Sequence, residues 1–315
     1  HYGEGCFGNH VVKIKLFHPD KGIILLSRNE NKEIFFLTIG GYGATGIILE
    51  VTLQVYAIKS NILEVENVSF SSIRESYEIL INEKENYDYF HGWCSISPSG
   101  KQKGIMSLGR ISDKGFESSN KPKLCNISPF HNSKKINLFG TCVMSLINLI
   151  YYMLNKFFYK KTKDLYDFLF PSSKNFFYFS MFGDNGVIEH QVIIPHDNVS
   201  SYVQELESII IRNKPRVSLC HMKLFRGKTN YVNFDGDGFC LALHFFNNNA
   251  SCTTLKEIDL IDIKYNCIAN LIKDSRISTE SIIKQYPNYK NFVNSVKEYD
   301  PTLKFSNLIL EKIFK

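Results

Sequence analysis

The 315-residue chain has no CxxC pair among its eight cysteines and no HExxH or HxH spacing among its nine histidines. Zinc needs Cys and His ligands at such short, fixed intervals, so no metal is expected. Charge of one sign is also scarce: 37 basic against 31 acidic side chains leave a formal net charge of +6. That excludes a polyanion-coating tail, and no nucleic-acid partner is expected. No charged-then-apolar leader follows His1 and no Met precedes it, so the sequence reads as a fragment or a processed product. What is present is a globular composition, 44% hydrophobic and 14% aromatic, which excludes disorder. The length exceeds the usual ceiling for one hydrophobic core, so two lobes are expected. Scattered cysteines in a chain too long to need staples read as reduced, mostly buried thiols of a cytoplasmic protein, with peripheral membrane association as an addition.

Two β-branched and apolar runs, Val11 to Phe17 and Gly22 to Leu26, flank the turn His18-Pro19-Asp20-Lys21-Gly22 and predict a hairpin. Between Leu49 and Val55, Leu49, Val51, Leu53 and Val55 alternate with Glu50, Thr52 and Gln54, the pattern of a half-buried strand that closes a first module near Ile58. A short amphipathic helix is expected from Ser71 to about Lys84, then strands over Tyr87 to Ile96 and Ile105 to Ile111. Residues 112–135 are polar and read as a long functional loop. Further strands are expected over Gly186 to Pro195, Arg216 to Phe225 and Phe239 to Phe246. One helix is capped by Asp197, with Val199, Tyr202, Val203, Leu206 and Ile210 on one face, and another runs from Thr254 to about Leu271. Strands and helices in this order indicate α+β with an antiparallel sheet.

Gly41-Tyr42-Gly43-Ala44-Thr45-Gly46 matches GxGxxG, the dinucleotide fingerprint. That fingerprint requires a helix directly after the glycines, because the helix N-terminus holds the pyrophosphate. Here a strand follows, so the Rossmann reading fails and a tight turn remains, where backbone can approach something closely.

Two stretches carry more: Cys6-Phe7-Gly8-Asn9-His10-Val11, and Thr38 to Ile48 around the glycines. Together they resemble the FAD-binding domain of the vanillyl-alcohol-oxidase-like (PCMH-type) flavoproteins, and within them most closely the oxidases of polyprenylphosphoryl pentoses. The likeness continues through Ile188 to Pro195, Lys223-Leu224-Phe225, Gly238-Phe239, Ile272-Lys273-Asp274-Ser275-Arg276, Tyr286-Pro287 and Asp300-Pro301. It implies an α+β fold: the C-terminal half of a PCMH-type FAD-binding domain (1–58), then an antiparallel-sheet substrate domain with flanking helices (59–272) carrying an insert at about 112–170. A helical arm (273–315) would complete the active site and return to the FAD domain. The pyrophosphate-binding half would then lie upstream of His1.

The resemblance further implies an FAD-dependent oxidoreductase that moves a hydride from the 2'-OH carbon of a polyprenyl-phosphate sugar to the flavin, in cell-wall polysaccharide biosynthesis. A short-chain reductase would act on the keto product. Cofactor-binding positions would be Gly5, Gly8, Asn9, His10, Gly40, Gly41, Gly43, Thr45, Gly46 and Ile47. Lys273, Lys223 and Gln191 would be catalytic, Lys273 foremost, as an amine beside the flavin whose pKa desolvation would lower, freeing it to act as a base at neutral pH. The plainer reading pairs Lys273 with Asp274 on a surface. Trp93, Cys240 and Ala242 would line the substrate pocket. Relatives place Asn and Cys where this chain has Cys240 and Ala242, which leaves the sugar open. Another sugar or aldonolactone oxidase, and an inactive lipid-binding remnant, are the alternatives.

Ile136 to Leu154 is strongly apolar, broken by Asn137, Thr141, Ser145 and Asn148, and flanked by Lys134-Lys135 and by Lys156, Lys160, Lys161 and Lys163. Its length approaches a membrane span, but the polar interruptions and basic flanks fit an interfacial helix better, with membrane contact through 136–163.

Overall fold

A computed structural model describes residues 2–97, 99–115, 142–170, 181–228, 230–274 and 276–315. The hairpin forms as its turn chemistry dictates: β1 (Val11–His18) pairs antiparallel with β2 (Gly22–Ser27), His18 facing Gly22. Helix α1 (Lys32–Thr38) follows, and β3 (Ile47–Leu53) adds to the free edge of β1. The result is a three-stranded sheet in the order β2-β1-β3. Ile14, Leu16, Leu26 and Phe35 make its small core. The half-buried expectation for β3 is corrected, because every residue from Ile47 to Leu53 is exposed. Alternation made the strand, but nothing in the described residues covers either of its faces.

The second sheet has eight strands: β4 (Ile62–Phe70), β5 (Tyr89–Ile96), β6 (Gln102–Ile111), β7 (Lys160–Asp164), β8 (Val187–Pro195), β9 (Val217–Phe225), β10 (Gly238–Phe246) and β11 (Ile268–Ala269). Their order is β11-β8-β10-β9-β5-β6-β4-β7, and the pairings given for it are antiparallel. One face is backed by α2 (Ile73–Glu83), α5 (Val199–Asn213) and α6 (Asn249–Lys264). Helix α2 begins where the Ser72 hydroxyl accepts from the Glu75 amide and the Glu75 carboxylate accepts from the Ser71 amide at 2.7 Å, a capping box displaced by one residue. Helix α5 buries Val199, Tyr202, Val203, Leu206 and Ile210 as the periodicity predicts, each contributing roughly 1.5–3 kcal/mol of transfer free energy. On the other face lie α3 (Cys142–Phe157) and α4 (Leu165–Leu169).

Two boundaries differ from expectation. Asp197 does not cap α5; it sits in a 3-10 turn, His196–Asn198, that leads directly into the helix. Helix α6 stops at Lys264 rather than near Leu271, because Asn266 takes a left-handed φ of 54° and the chain turns into β11 against β8. The polar loop and the start of the apolar segment, residues 116–141, lie outside the described residues. So does Ser275.

Three short helices end the chain: α7 (Thr279–Gln285), α8 (Tyr289–Tyr299) and α9 (Leu308–Ile313). They bring it back to the first sheet. Buried His18 sits 3.6 Å from the Asp300 carboxylate, Lys304 pairs with Asp20, and Asn307 donates to the Tyr42 carbonyl at 2.8 Å.

Candidate active site

In an antiparallel ladder, directly opposed residues share a face. Gln191 faces Ala242, Ala242 faces His221, and His221 faces Trp93, so these four form one row across β8, β10, β9 and β5. Cys240 faces Lys223 and His244 faces Glu189 on either side of that row. All lie on the face away from α2, α5 and α6, the outer face. Five of the residues expected in the site, Gln191, Lys223, Trp93, Cys240 and Ala242, therefore converge although they come from four strands.

Lys273 joins them from the turn after β11. Asn270 anchors that turn to β8, its amide side chain donating to Gln191 Oε1 at 2.7 Å and its backbone N–H to the Gln191 carbonyl. Lys273 Nζ then donates to Glu189 Oε2 at 3.0 Å. Its partner is thus Glu189, not Asp274, and with 47% of its side chain exposed it is not the desolvated amine that was expected. Burial would raise the Glu189 carboxyl, but hydrogen bonds from His244 and Lys273 hold it down at about 2, so it stays anionic. Gln191 Nε2 also reaches the Cys240 sulfur at 3.5 Å, and burial pushes that thiol up to about 11, leaving it protonated.

Glu189, His244, His221 and His91 had not been singled out in the sequence. Each lies two positions from a residue that had been: 189 from Gln191, 244 from Ala242, 221 from Lys223, 91 from Trp93. The two-residue period of a strand was the signal that could have found them. His91 packs at 4.6 Å against Phe168 of α4, and burial, with Lys163, His221, Lys161 and Lys223 around it, lowers it to about 3. His221 is lowered to about 4, first by burial and then by His244. Trp93 packs at 4.6 Å against Tyr151 of α3.

Asp274 points the other way, into the helix-backed layer. There His190 lies 3.1 Å from both Asp262 and Asp274, Tyr202 donates to Asp262, and Arg276 bridges Asp259 and Asp274. Burial opposes a charge on His190, but the two carboxylates more than offset it and raise the ring to about 10. His190, Asp259 and Asp262 are close enough to ligate a metal, yet these atoms already serve the ion-pair network.

The glycine stretches meet at one end of the outer face. A Cβ on Gly8 would stand 2.6 Å from Ile39, and one on Gly40 would stand 2.3 Å from Asn233. Tyr42 donates to the Val232 carbonyl at 2.9 Å, and Gly5 lies against the Arg226 carbonyl. Residues 226–237 join β9 to β10, so the turns dock beside the strand ends that carry Lys223 and Cys240. Within the turn, Thr38 and Thr45 share a buried hydroxyl hydrogen bond and Gly41 crowds the Leu37 carbonyl. Gly43 differs: it is exposed, with a φ of 81° and open space where a Cβ would stand. Gly46 and Ile47 lead into β3, and His10 packs edge-on against Tyr56. Asn9 makes a backbone turn bond to Cys6.

No protein-family profile matches the chain. Decaprenylphosphoryl-beta-D-ribose oxidase of Mycolicibacterium smegmatis is 21% identical over 318 aligned residues, spanning 96% of this chain and 68% of that protein. The fold of 6-hydroxy-D-nicotine oxidase from Arthrobacter nicotinovorans matches 95% of this chain and 65% of that one, with a TM-score of 0.54 at 12% identity. The chain is thus similar in sequence to the first of these oxidases and in fold to the second. It spans about two thirds of the length of each of these two relatives. The mitochondrial L-galactono-1,4-lactone dehydrogenase of Arabidopsis thaliana is 34% identical over 82 residues, 26% of this chain and 13% of that protein. FAD is the cofactor of the superfamily. The residues present fit it: an open left-handed glycine at the tip of the docked turn, and beside it a sheet face carrying the donors Gln191, Lys223 and Lys273.

Proposed function

We propose that the protein oxidises the 2'-hydroxyl of a polyprenyl-phosphate-linked pentose to a keto group on the outer face of the large sheet, in a route to cell-wall polysaccharide. FAD, when bound, supplies the acceptor for the hydride leaving the sugar carbon. Residues 1–58, with Gly5, Gly8, Asn9, His10 and the turn Gly40, Gly41, Gly43, Thr45, Gly46 and Ile47, serve the cofactor. The rest of the chain serves the sugar. The hydroxyl proton leaves to solvent at the half-exposed Lys273 edge, while the Lys273 ammonium, held by Glu189, donates a hydrogen bond to the oxygen on which negative charge develops. Gln191, fixed by Asn270, and Lys223 orient the reacting groups, and the tilted Trp93–Tyr151 ring pair gives the sugar an apolar wall. Cys240 and Ala242 leave room in the floor. A short-chain reductase takes the keto product, and the lipid-linked substrate is met at a membrane surface.

The observation that carries this reading is the convergence of Gln191, Lys223, Cys240, Ala242 and Trp93 on one face with Lys273 at its edge. The local match to an aldonolactone dehydrogenase favours a second reading, oxidation of a sugar lactone on the same face. The two separate in the visible spectrum of protein expressed from its full reading frame. Anaerobic bleaching of bound flavin by polyprenylphosphoryl ribose, and not by galactono-1,4-lactone, is expected. Bleaching by the lactone alone selects the second reading, and absence of flavin absorbance rejects both.

A further inference from the structure

Helix α3 is built inside out. Along its 16 residues, the strip facing the sheet carries Asn148, which donates to the Ser218 carbonyl, and Asn155, whose carbonyl accepts from Asn67 at 3.1 Å. Met144 and Tyr151, whose ring tilts against Trp93, complete that strip. The outward strip is apolar: Leu146 is 56% exposed, Leu154 53% and Phe157 77%, with Ile150 and Met153 between them. A surface helix of a globular protein does the reverse, as α5 does on the opposite side of the same sheet. At its C-terminal end follow exposed Phe158 and Tyr159, and Lys103, Lys156 and Lys160 lie within 6 Å of the Tyr152 and Tyr159 rings. Aromatic rings with lysines stretched along them and an apolar strip beside them match an interface between headgroups and acyl chains. No described helix is long and apolar enough to cross a membrane.

We infer that α3 lies on an anionic phospholipid surface, its apolar strip among the acyl chains and its lysines on the phosphates. The charge of the rim decides the occupant: a second copy of this chain would bring like charge against Lys103, Lys156 and Lys160, whereas anionic headgroups complement them. Because Tyr151 of the same helix packs on Trp93, docking sets the outer face at the lipid surface. The inference rests on the proposed lipid-linked substrate only for its purpose, not for its evidence.

Co-sedimentation with phosphatidylcholine–phosphatidylglycerol vesicles, against phosphatidylcholine alone, tests it. The protein is expected to bind the anionic vesicles and not the neutral ones. Ile150→Asp with Leu154→Asp, both at exposed positions, is expected to weaken binding at least about tenfold per residue, with the far-UV spectrum unchanged. Lys156→Glu with Lys160→Glu is expected to weaken it about fivefold per residue, and serves as the test should the first variant misfold. Equal binding to neutral vesicles, or variants that bind as well as the parent, overturns the inference. So does a lipid-free dimer that the Asp variant abolishes, since a second copy would then own the face. Vesicle binding is read without turnover, so protein that docks but never bleaches its flavin refutes the oxidase reading and leaves docking standing.

Discussion

The two faces of the large sheet hold histidines with opposite fates. On the helix-backed face, His190 is clamped between Asp262 and Asp274, and its ring is raised to about 10. On the outer face, burial lowers both rings, His91 to about 3 with Lys163 beside it and His221 to about 4 with His244 beside it. Position 190 is one residue from Gln191 and two strands from His221, so sequence distance does not separate these environments. The partners do. A buried cation survives where two carboxylates meet it, and an imidazole ringed by other basic groups gives up its proton. The first arrangement holds a framework together. The second leaves neutral rings and a surplus of lysines facing the space where an anionic, lipid-linked sugar is proposed to sit.

The comparison breaks most visibly at His190. His190→Leu leaves Asp262 and Asp274 as buried carboxylates short of their shared partner, and is expected to cost about 3–5 kcal/mol in a urea melt. His91→Phe, opposite, removes a ring that is already neutral and is expected to cost less than about 1.5 kcal/mol. Equal losses would mean that the two faces do not differ.

Stability against pH sharpens the same contrast. The folded value of His190 lies above its ordinary 6.5, so its contribution is complete below about 6.5 and is lost as pH rises toward about 10. His91 and His221 are lowered, so the unfolded chain binds their protons first, and stability falls as pH drops from about 6.5 toward about 4 and 3. Each limb has a slope of at most about 1.4 kcal/mol per pH unit for each group. His91→Phe is expected to flatten the acid limb, and His190→Gln the alkaline limb, in melts followed from pH 4 to 10.

A smaller effect separates two glycines of one turn. A Cβ on Gly41 would stand 2.0 Å from the Leu37 carbonyl, whereas one on Gly43 meets open space. Gly41→Ala is expected to cost about 1–3 kcal/mol through forced backbone shifts, and Gly43→Ala about 1–2 kcal/mol, from its left-handed φ alone. Only the second is expected to weaken flavin retention without further unfolding, as read by ultrafiltration. The smallest effect is on the surface: Lys284→Ala, which breaks the i,i+4 pair with Glu280, is expected to cost about 0.3–0.5 kcal/mol.

Strands and most helices were legible because their periods are local. The hairpin, β5, β8, β9, β10 and the buried face of α5 follow from alternation and 3.6-residue spacing. What depends on a partner was not. Strand β3 alternates from Leu49 onward yet is covered on neither side by described residues. Strand β7, Lys-Lys-Thr-Lys-Asp, has no apolar pattern and is a strand only because β4 pairs with it. The site shows the same division. Resemblance singled out Gln191, Lys223, Lys273, Trp93, Cys240 and Ala242; strand parity brings all but Lys273 to one face, and the turn after β11 brings Lys273 to its edge. The Lys273–Glu189 pair joins residues 84 positions apart, and neither spacing nor composition carries such a contact.

Stopped-flow bleaching of bound flavin by polyprenylphosphoryl ribose, compared between Lys273→Met and Lys297→Met, asks most directly whether the outer face is where the chemistry occurs. Lys297 stands on α8, away from that face. Bleaching about 10²–10³-fold slower in Lys273→Met, with Lys297→Met unchanged, is the predicted result. Equal rates in the two variants would contradict it.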